Sequence, residues 1–600
     1  MQRRLFAVAI LTVIGLLGSA APAGAHHTNP REPVTPLEDP GTTTLLTEGD
    51  GRWRHIRNFP PNPGSDIKFF RKKGRLFAVS GSLGQGDMSQ AGDEFGPLSG
   101  VAVGQRFIRL INKKGNIRPR WVADHGSAAC EPTPGTASST TSLQHDQIVT
   151  PKRNPRLMID TTDAAGRCHD PGGGGLEIVD ISRIHKKKFK PREIHLTRHS
   201  GTSHTVTLDA KRPWIVYNNS SQSSGMSWID VLNIKSCLNQ KLRGLKAKIR
   251  ECRPKVFRIY LRPEWSQRID ANGDRVEGSE SSCHDITSRG NRIYCANLNS
   301  TVVLNVRRLT RPNGAIRGEP LKCDIVKGTD TDAKVTDCDD LEAVGNGQAR
   351  GWKYVGHINH PGRNASHNTN HEYESTEGVA VSHEAEPTPN KRFMFVTDER
   401  GGGIVPIGAS CPGTPNPYGN GGVHVIKIGR GGEYKYAKTP EGDKAVFIGS
   451  VQVPSTTFCT AHVMEQFKRE QRFSIAWYSQ GTKVVDWFTN ADNRWTFRET
   501  AAVVPQNPSA NTWTSLVFHV KKRPNGKRTY YFMASDITRG IDIMAWTGRP
   551  NKFGTRPPKP EAAPVSATDS DESTSQKAIA FGFLAAAFLA PATRRRRRPS

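Results

Sequence analysis

The chain has 600 residues, 35% of them apolar and 23% charged, with 57 glycines and 40 prolines. That balance leaves little room for long helices and suits an all-β domain of many short strands joined by turns and long loops. The formal net charge is +28; without the two leader arginines and the five at the C-terminus it is still +21, which favours anionic partners.

Residues 1–25 read as an export signal. Arg3 and Arg4 precede an apolar run, Leu5–Leu17, and the small residues Ala23-Gly24-Ala25 form a cleavage site before His26. Arg3-Arg4-Leu5-Phe6 also matches a twin-arginine signal in part, so the export route stays open. Residues 26–64 are an N-terminal extension.

From residue 65 to 550 one phrase recurs, a glycine or small residue opening a β-branched run that often closes on Asp. Its copies include GGGLEIVDIS at Gly173–Ser182, GMSWIDVLNI at Gly225–Ile234, GTKVVDW at Gly481–Trp487 and RGIDIMAW at Arg539–Trp546. Each is preceded by another strand, such as PWIVYNN or RFSIAWYS, and by a short head strand. The heads begin at Ser65, Gln144, Ser203, Cys283, Thr376, Ala461 and Trp513. An array of like sheets buries its faces only against its neighbours, so the expected fold is a closed β-propeller of about seven blades. Long connections without strands of their own are expected at Asp87–Pro97, Pro320–Asn370 and Gly403–Gly419. The acidic stretch Asp324–Asp340 reads as a solvated loop.

The phrase GLEIVDIS behind a His-led inner strand resembles the LVIVD repeat of bacterial and archaeal cell-surface proteins, over roughly Ser65–Trp546. The resemblance implies a surface-exposed propeller and no defined activity.

Four heads carry histidine near their start, His145, His204, His284 and His462, and the fifth places Glu377 there. In a propeller the inner strands line one channel, so these residues form a ring able to hold zinc, iron or manganese. The other reading is structural, each histidine bonding within its own blade. The denser set His357, His360, His367 and His371 lies among Asn and Gly and reads as a polar loop. Asp270, Asn272 and Asp274 match the start of a calcium loop, but Arg275 stands where that loop needs glycine and Ser281 where it needs glutamate. No nucleophile elbow, phosphate loop or dinucleotide fingerprint occurs.

Ten cysteines without a C-x-x-C pair, in an exported chain, favour disulfides. Local spacing suggests Cys237–Cys252, Cys283–Cys295 and Cys323–Cys338. Residues 551–577 form a polar linker. Residues 578–600 combine the apolar run Ala578–Ala590 with Arg594–Arg598, the order of a membrane anchor and its stop-transfer cluster, although the run falls short of a full span.

Two functional expectations follow. One is an exported cell-surface propeller, tethered through its C-terminus, that binds an anionic polymer, a glycan or a protein, with no nucleic acid expected. The other is a metal-dependent propeller enzyme, an oxidoreductase or lyase, with the axial His and Glu side chains on a divalent metal.

Overall fold

The third strands carry apolar residues on both faces, and such strands are stable only where both faces are covered. In Gly175–Asp180, Leu176 and Ile178 pack toward one neighbouring sheet and Val179 toward the other. A computed structural model describes residues 43–554, omitting connections of which 83–103, 127–141, 165–174, 361–377 and 400–420 are the longest. It is a seven-bladed β-propeller of antiparallel sheets, with an apolar core between every pair of adjacent blades.

From the axis outward, blade 1 comprises Gly64–Lys72, Arg75–Ser82, Gly104–Lys113 and Asn116–Gly126. Blade 2 has Gln147–Thr150, Leu157–Ala164, Gly175–Asp180 and Arg192–Arg198, and blade 3 has Val206–Leu208, Ile215–Asn218, Trp228–Asn233 and Lys255–Tyr260. Blade 4 is built from Asp285–Arg289, Arg292–Ala296, Ser300–Asn305 and Lys353–Asn359. Blade 5 starts with Ser382–Pro387, Phe393–Asp398 and Val423–Lys427. Blade 6 contains Met464–Gln466, Arg472–Ala476, Thr482–Thr489 and Trp495–Gln506.

Blade 7 takes Thr512–Lys522, Arg528–Asp536 and Gly540–Gly548 from the end of the repeat region. Its outermost strand, Arg52–Phe59, comes from the segment read as an N-terminal extension. Thr44–Gly49 adds a fifth strand to blade 6, so the N-terminal segment fastens the last two blades.

The acidic stretch is not wholly a loop. Cys323–Lys327 and Lys334–Cys338 form a hairpin, inserted between two strands of blade 4, that pairs with the outer edge of blade 2. The hairpin extends that edge by backbone pairing, His195–Arg198 running parallel to Lys334–Asp337. The disulfides Cys237–Cys252 and Cys283–Cys295 are formed; Cys323 is also disulfide-bonded, and its register partner is Cys338. Among the described residues no helix is long and apolar enough to cross a membrane. The leader at 1–25 and the apolar run at 578–590 lie outside the described residues.

Antiparallel order sends the connections between second and third strands, and those between blades, to one face of the ring. The long connections at 83–103, 165–174, 361–377 and 400–420 therefore leave from strand ends on that face. So do the N-termini of the inner strands, where the histidines stand.

Candidate metal centre on the propeller axis

The inner edge of each innermost strand has no ladder partner, so its polar groups must be met by the next blade. Asp146 Oδ2 accepts the Val206 N–H at 2.8 Å, Glu384 Oε2 the Met464 N–H at 2.8 Å and Glu465 Oε2 the Val517 N–H at 2.9 Å. Thr205 Oγ1 donates to the His284 carbonyl at 2.8 Å, and Thr514 Oγ1 to Asp66 Oδ1 at 3.2 Å. These contacts bind the blades into a ring and fix the first residues of the inner strands.

At those first residues four imidazoles follow one another around the axis. Ring centroids are 4.1 Å apart for His204 and His284, 4.6 Å for His284 and His383, and 4.2 Å for His383 and His462. Trp513 continues the arc in blade 7, 4.3 Å from His462. His204, His284 and His462 are thus brought together as the repeats imply. His145 and Glu377 lie outside the described residues. The head of blade 5 falls six residues beyond Glu377, at Ser382–His383, so it is His383 that joins the arc.

Glu399 completes the group. It follows the second strand of blade 5, its N–H donates to the Val381 carbonyl at 3.1 Å, and its side chain is fully buried. His284, His383 and Glu399 each offer a donor atom, all within 4.8 Å of one another. Two donors on a single zinc or iron, each about 2.0–2.2 Å from it, stand no more than roughly 4.4 Å apart, so a small side-chain adjustment closes the set. Glu399 Oε2 is 3.6 Å from His383 Nε2, and Oε1 is 3.3 Å from His462 Nε2. The Tyr478 hydroxyl donates to Oε1 of the same carboxylate.

The second nitrogen of His462 is also held. Nδ1 lies 2.6 Å from the Trp513 carbonyl oxygen, which can only accept, so Nδ1 carries the proton and Nε2 is directed at Glu399. The bond crosses to the next blade and is not made within the histidine's own blade. A carbonyl that fixes the tautomer in this way is the usual support of a metal-ligating imidazole.

Below the imidazoles a channel of about 310 Å³ continues along the inner strands, lined by Asp66, Asp146, Asp285, Glu384, Glu386 and Glu465, with Lys68 among them. Burial pushes the Asp146 and Asp285 carboxyls well above the usual range, and the neighbouring Asp66 charge adds to this. Glu384 rises through burial, then through Glu386 and Asp285, and burial takes Glu386 to about 7 against the pull of Arg289. In a protein of net charge +28 the axis is therefore an acidic interior.

Sequence reasoning missed His383 and Glu399. The string Ser382-His383-Glu384 repeats the small-His-acid pattern of Cys283-His284-Asp285 and could have located the blade 5 head. Glu399 lies off the inner strands and had no such signal.

No protein-family model matches the sequence, and no curated protein matches it. Solved structures similar to the chain include the periplasmic gluconolactonase PpgL of Pseudomonas aeruginosa, at 10% identity over 75% of this chain and 93% of that one, with a TM-score of 0.34. Others are U3-55K, at 7% identity over 82% and 98% with a TM-score of 0.35, and the CNH domain of AfRom2, at 9% over 82% and 98% with a TM-score of 0.33. At these levels the similarity carries neither activity nor substrate to this chain.

Proposed function

We propose that the chain is an exported β-propeller that binds a divalent transition metal on its axis through His284, His383 and Glu399, and admits a small polar ligand to that metal. The observation carrying this reading is the convergence of two imidazoles and a buried carboxylate, from blades 4 and 5, within 4.8 Å. Three protein ligands leave coordination positions open, the arrangement of a reactive or ligand-binding centre and not of a closed structural one. Two imidazoles and one oxygen ligand suit zinc, iron or manganese. Tyr478 supports the set by donating its hydroxyl to Glu399, and His462 turns its unprotonated Nε2 to the same carboxylate, an acceptor-to-acceptor contact that a cation between them relieves. The disulfides support export to an oxidising compartment, in keeping with the LVIVD-like repeats and an external surface role.

Metal analysis of untagged protein purified from its native compartment tests the reading. About one equivalent of a transition metal is expected, and His383→Ala should abolish it. Tyr478→Phe removes the hydroxyl from Glu399 and should weaken affinity by about tenfold or more while the melting temperature without metal stays near that of the wild type. Protein that carries no metal, and whose melting temperature does not move on adding zinc, iron(II) or manganese, sinks the idea.

A further inference from the structure

A second concave site lies on the outer wall of the ring, away from the axis. Its cavity of about 620 Å³ is bounded by blade 1, by the outermost strand of blade 7 and by the turn that follows Gly175–Asp180 in blade 2. In that turn, ISRIHKKKFK, Ile184 and Phe189 are buried in the core between blades 1 and 2, with the Phe189 ring edge-on to Phe107 at 5.8 Å. The two apolar anchors hold Lys186 and Lys187 outward at the cleft. Arg75 Nη1 donates to the His185 carbonyl at 2.7 Å and ties the turn to blade 1.

The floor is unusual in its charge. Across the outer two strands of blade 1, Arg106 stands opposite Asp124 and bonds to it at 3.2 Å, a matched pair. Three residues along, and therefore on the opposite, blade 2 face that lines the cleft, Arg109 stands directly opposite Arg120, and Phe77 is its partner on the other side. Like charges directly opposed across a sheet are destabilising. Among the described residues no carboxylate pairs with Arg57, Arg75, Arg109, Arg120, Lys186 or Lys187. After burial, the groups that lower the Arg109 pKa are Arg75 and Arg120. Trp121 lines the cleft from the blade 7 face of the same outer strand, its register partner Ile108 lying in the core between blades 1 and 7; it is 54% exposed, and its Nε1 donates to Asp124 Oδ1 at 3.0 Å.

We infer that this cleft is a binding site for an acidic saccharide, a sugar chain that crosses the outer strand of blade 1, its carboxylate or sulfate groups on Arg75, Arg109 and Arg120 on the blade 2 side and a sugar ring against Trp121 on the blade 7 side. Planar guanidinium groups offer paired donors to such anions. The indole supplies an apolar face with its polar edge already engaged. An anion offsets the Arg109–Arg120 repulsion, so binding draws on strain already present in the free protein. The site is independent of the axial metal centre.

The test is calorimetric titration of the mature full chain with three probes: a heparin oligosaccharide, a polygalacturonate oligosaccharide and polyphosphate. Binding of at least one oligosaccharide is expected, weakening as salt is raised. The preferred oligosaccharide distinguishes sulfate from carboxylate as the source of the anion. Arg109→Ser with Arg120→Ser should weaken it by about tenfold or more and melt no lower than the wild type, since a repulsion is removed. Should that pair disturb the sheet, Lys186→Ser with Lys187→Ser, on the exposed turn, carries the same test. Trp121→Ala should weaken the oligosaccharide and leave polyphosphate unchanged. Arg307→Ser with Arg308→Ser, an equal charge loss on an exposed turn of blade 4, should change nothing. The inference is overturned if neither oligosaccharide binds, if the cleft variants bind like the wild type, if the blade 4 control loses as much, or if Trp121→Ala has no selective effect.

Discussion

His360 shows what burial does to a single titratable side chain in this ring. It directly follows the last strand of blade 4, fully buried, with Nε2 2.9 Å from Thr301 Oγ1 and Nδ1 3.2 Å from the Tyr436 hydroxyl. Burial, with smaller contributions from His424 and His357, lowers its pKa from 6.5 to about 3. The unfolded chain takes up a proton near pH 6.5 while the folded one refuses it until about 3. Protons thus favour the unfolded state, and stability falls as pH drops through that window, by about 1.4 kcal/mol per pH unit from this residue. His360→Gln does not titrate, so its unfolding free energy should fall less steeply between pH 6 and 4, whatever its absolute stability. Equal slopes for the two proteins in denaturant titrations would contradict the assignment. Tyr478 shows a different cost: it is held at φ +44, a conformation that bulky side chains rarely adopt, and its hydroxyl reaches Glu399. Strain at a residue that supports a candidate ligand is consistent with function at this point.

At the level of the strand, the inner heads decide how much of the site could be read in advance. Heads at Ser65, Ser203, Cys283, Ala461 and Trp513 are legible because each begins a short run followed in the same order by a second strand and a third that opens on a small residue, whatever the loop between them. The blade 5 head was displaced to Thr376 because VAV in that segment looks more strand-like than SHEAEP. The ring tolerates Glu384 and Glu386 on an inner strand because they face the channel. Pattern reading assumes one buried face and misses strands whose other face is polar and enclosed. Glu399 depends on convergence between sequence-distant blades, which no local pattern encodes.

The disulfide Cys283–Cys295 is the element-scale device that was legible, since the twelve-residue separation spans one turn between adjacent strands. Cys283 stands two residues before the inner strand of blade 4 and Cys295 lies in the second, so the bond fixes the chain on the N-terminal side of His284. Replacing both by serine should cost on the order of 3 kcal/mol through the freed unfolded chain. Metal affinity should fall with it, as His284 loses its tether. Free Cys283 and Cys295 thiols in peptide maps of native, non-reduced protein would remove the basis for both effects.

The whole molecule stands or falls on closure. A propeller assembled only from residues 64–548 would leave the third strand of blade 7 with an open edge, and open strand edges pair with other chains. The N-terminal strands prevent this: Arg52–Phe59 runs antiparallel to Gly540–Gly548, and Thr44–Gly49 covers the outer strand of blade 6. Trp53 anchors the closure, buried against Phe532 at 5.2 Å and Trp546 at 6.2 Å between ring centroids. Asp542, in the strand it covers, accepts from His55, Asn58 and Arg539, joining the two ends of the chain through buried charge. Because the strands come from outside the repeat, no periodicity marks them, and only the need to finish blade 7 explains why they are there. Trp53→Ala should therefore cost about 3–5 kcal/mol, as for other buried tryptophans. A chain starting at Gly64 should lose its cooperative transition and self-associate through the exposed edge. Calorimetry and light scattering on the truncated protein decide the matter: a monomer that melts at the wild-type temperature would mean that blade 7 closes on three strands and that the N-terminal pair is dispensable.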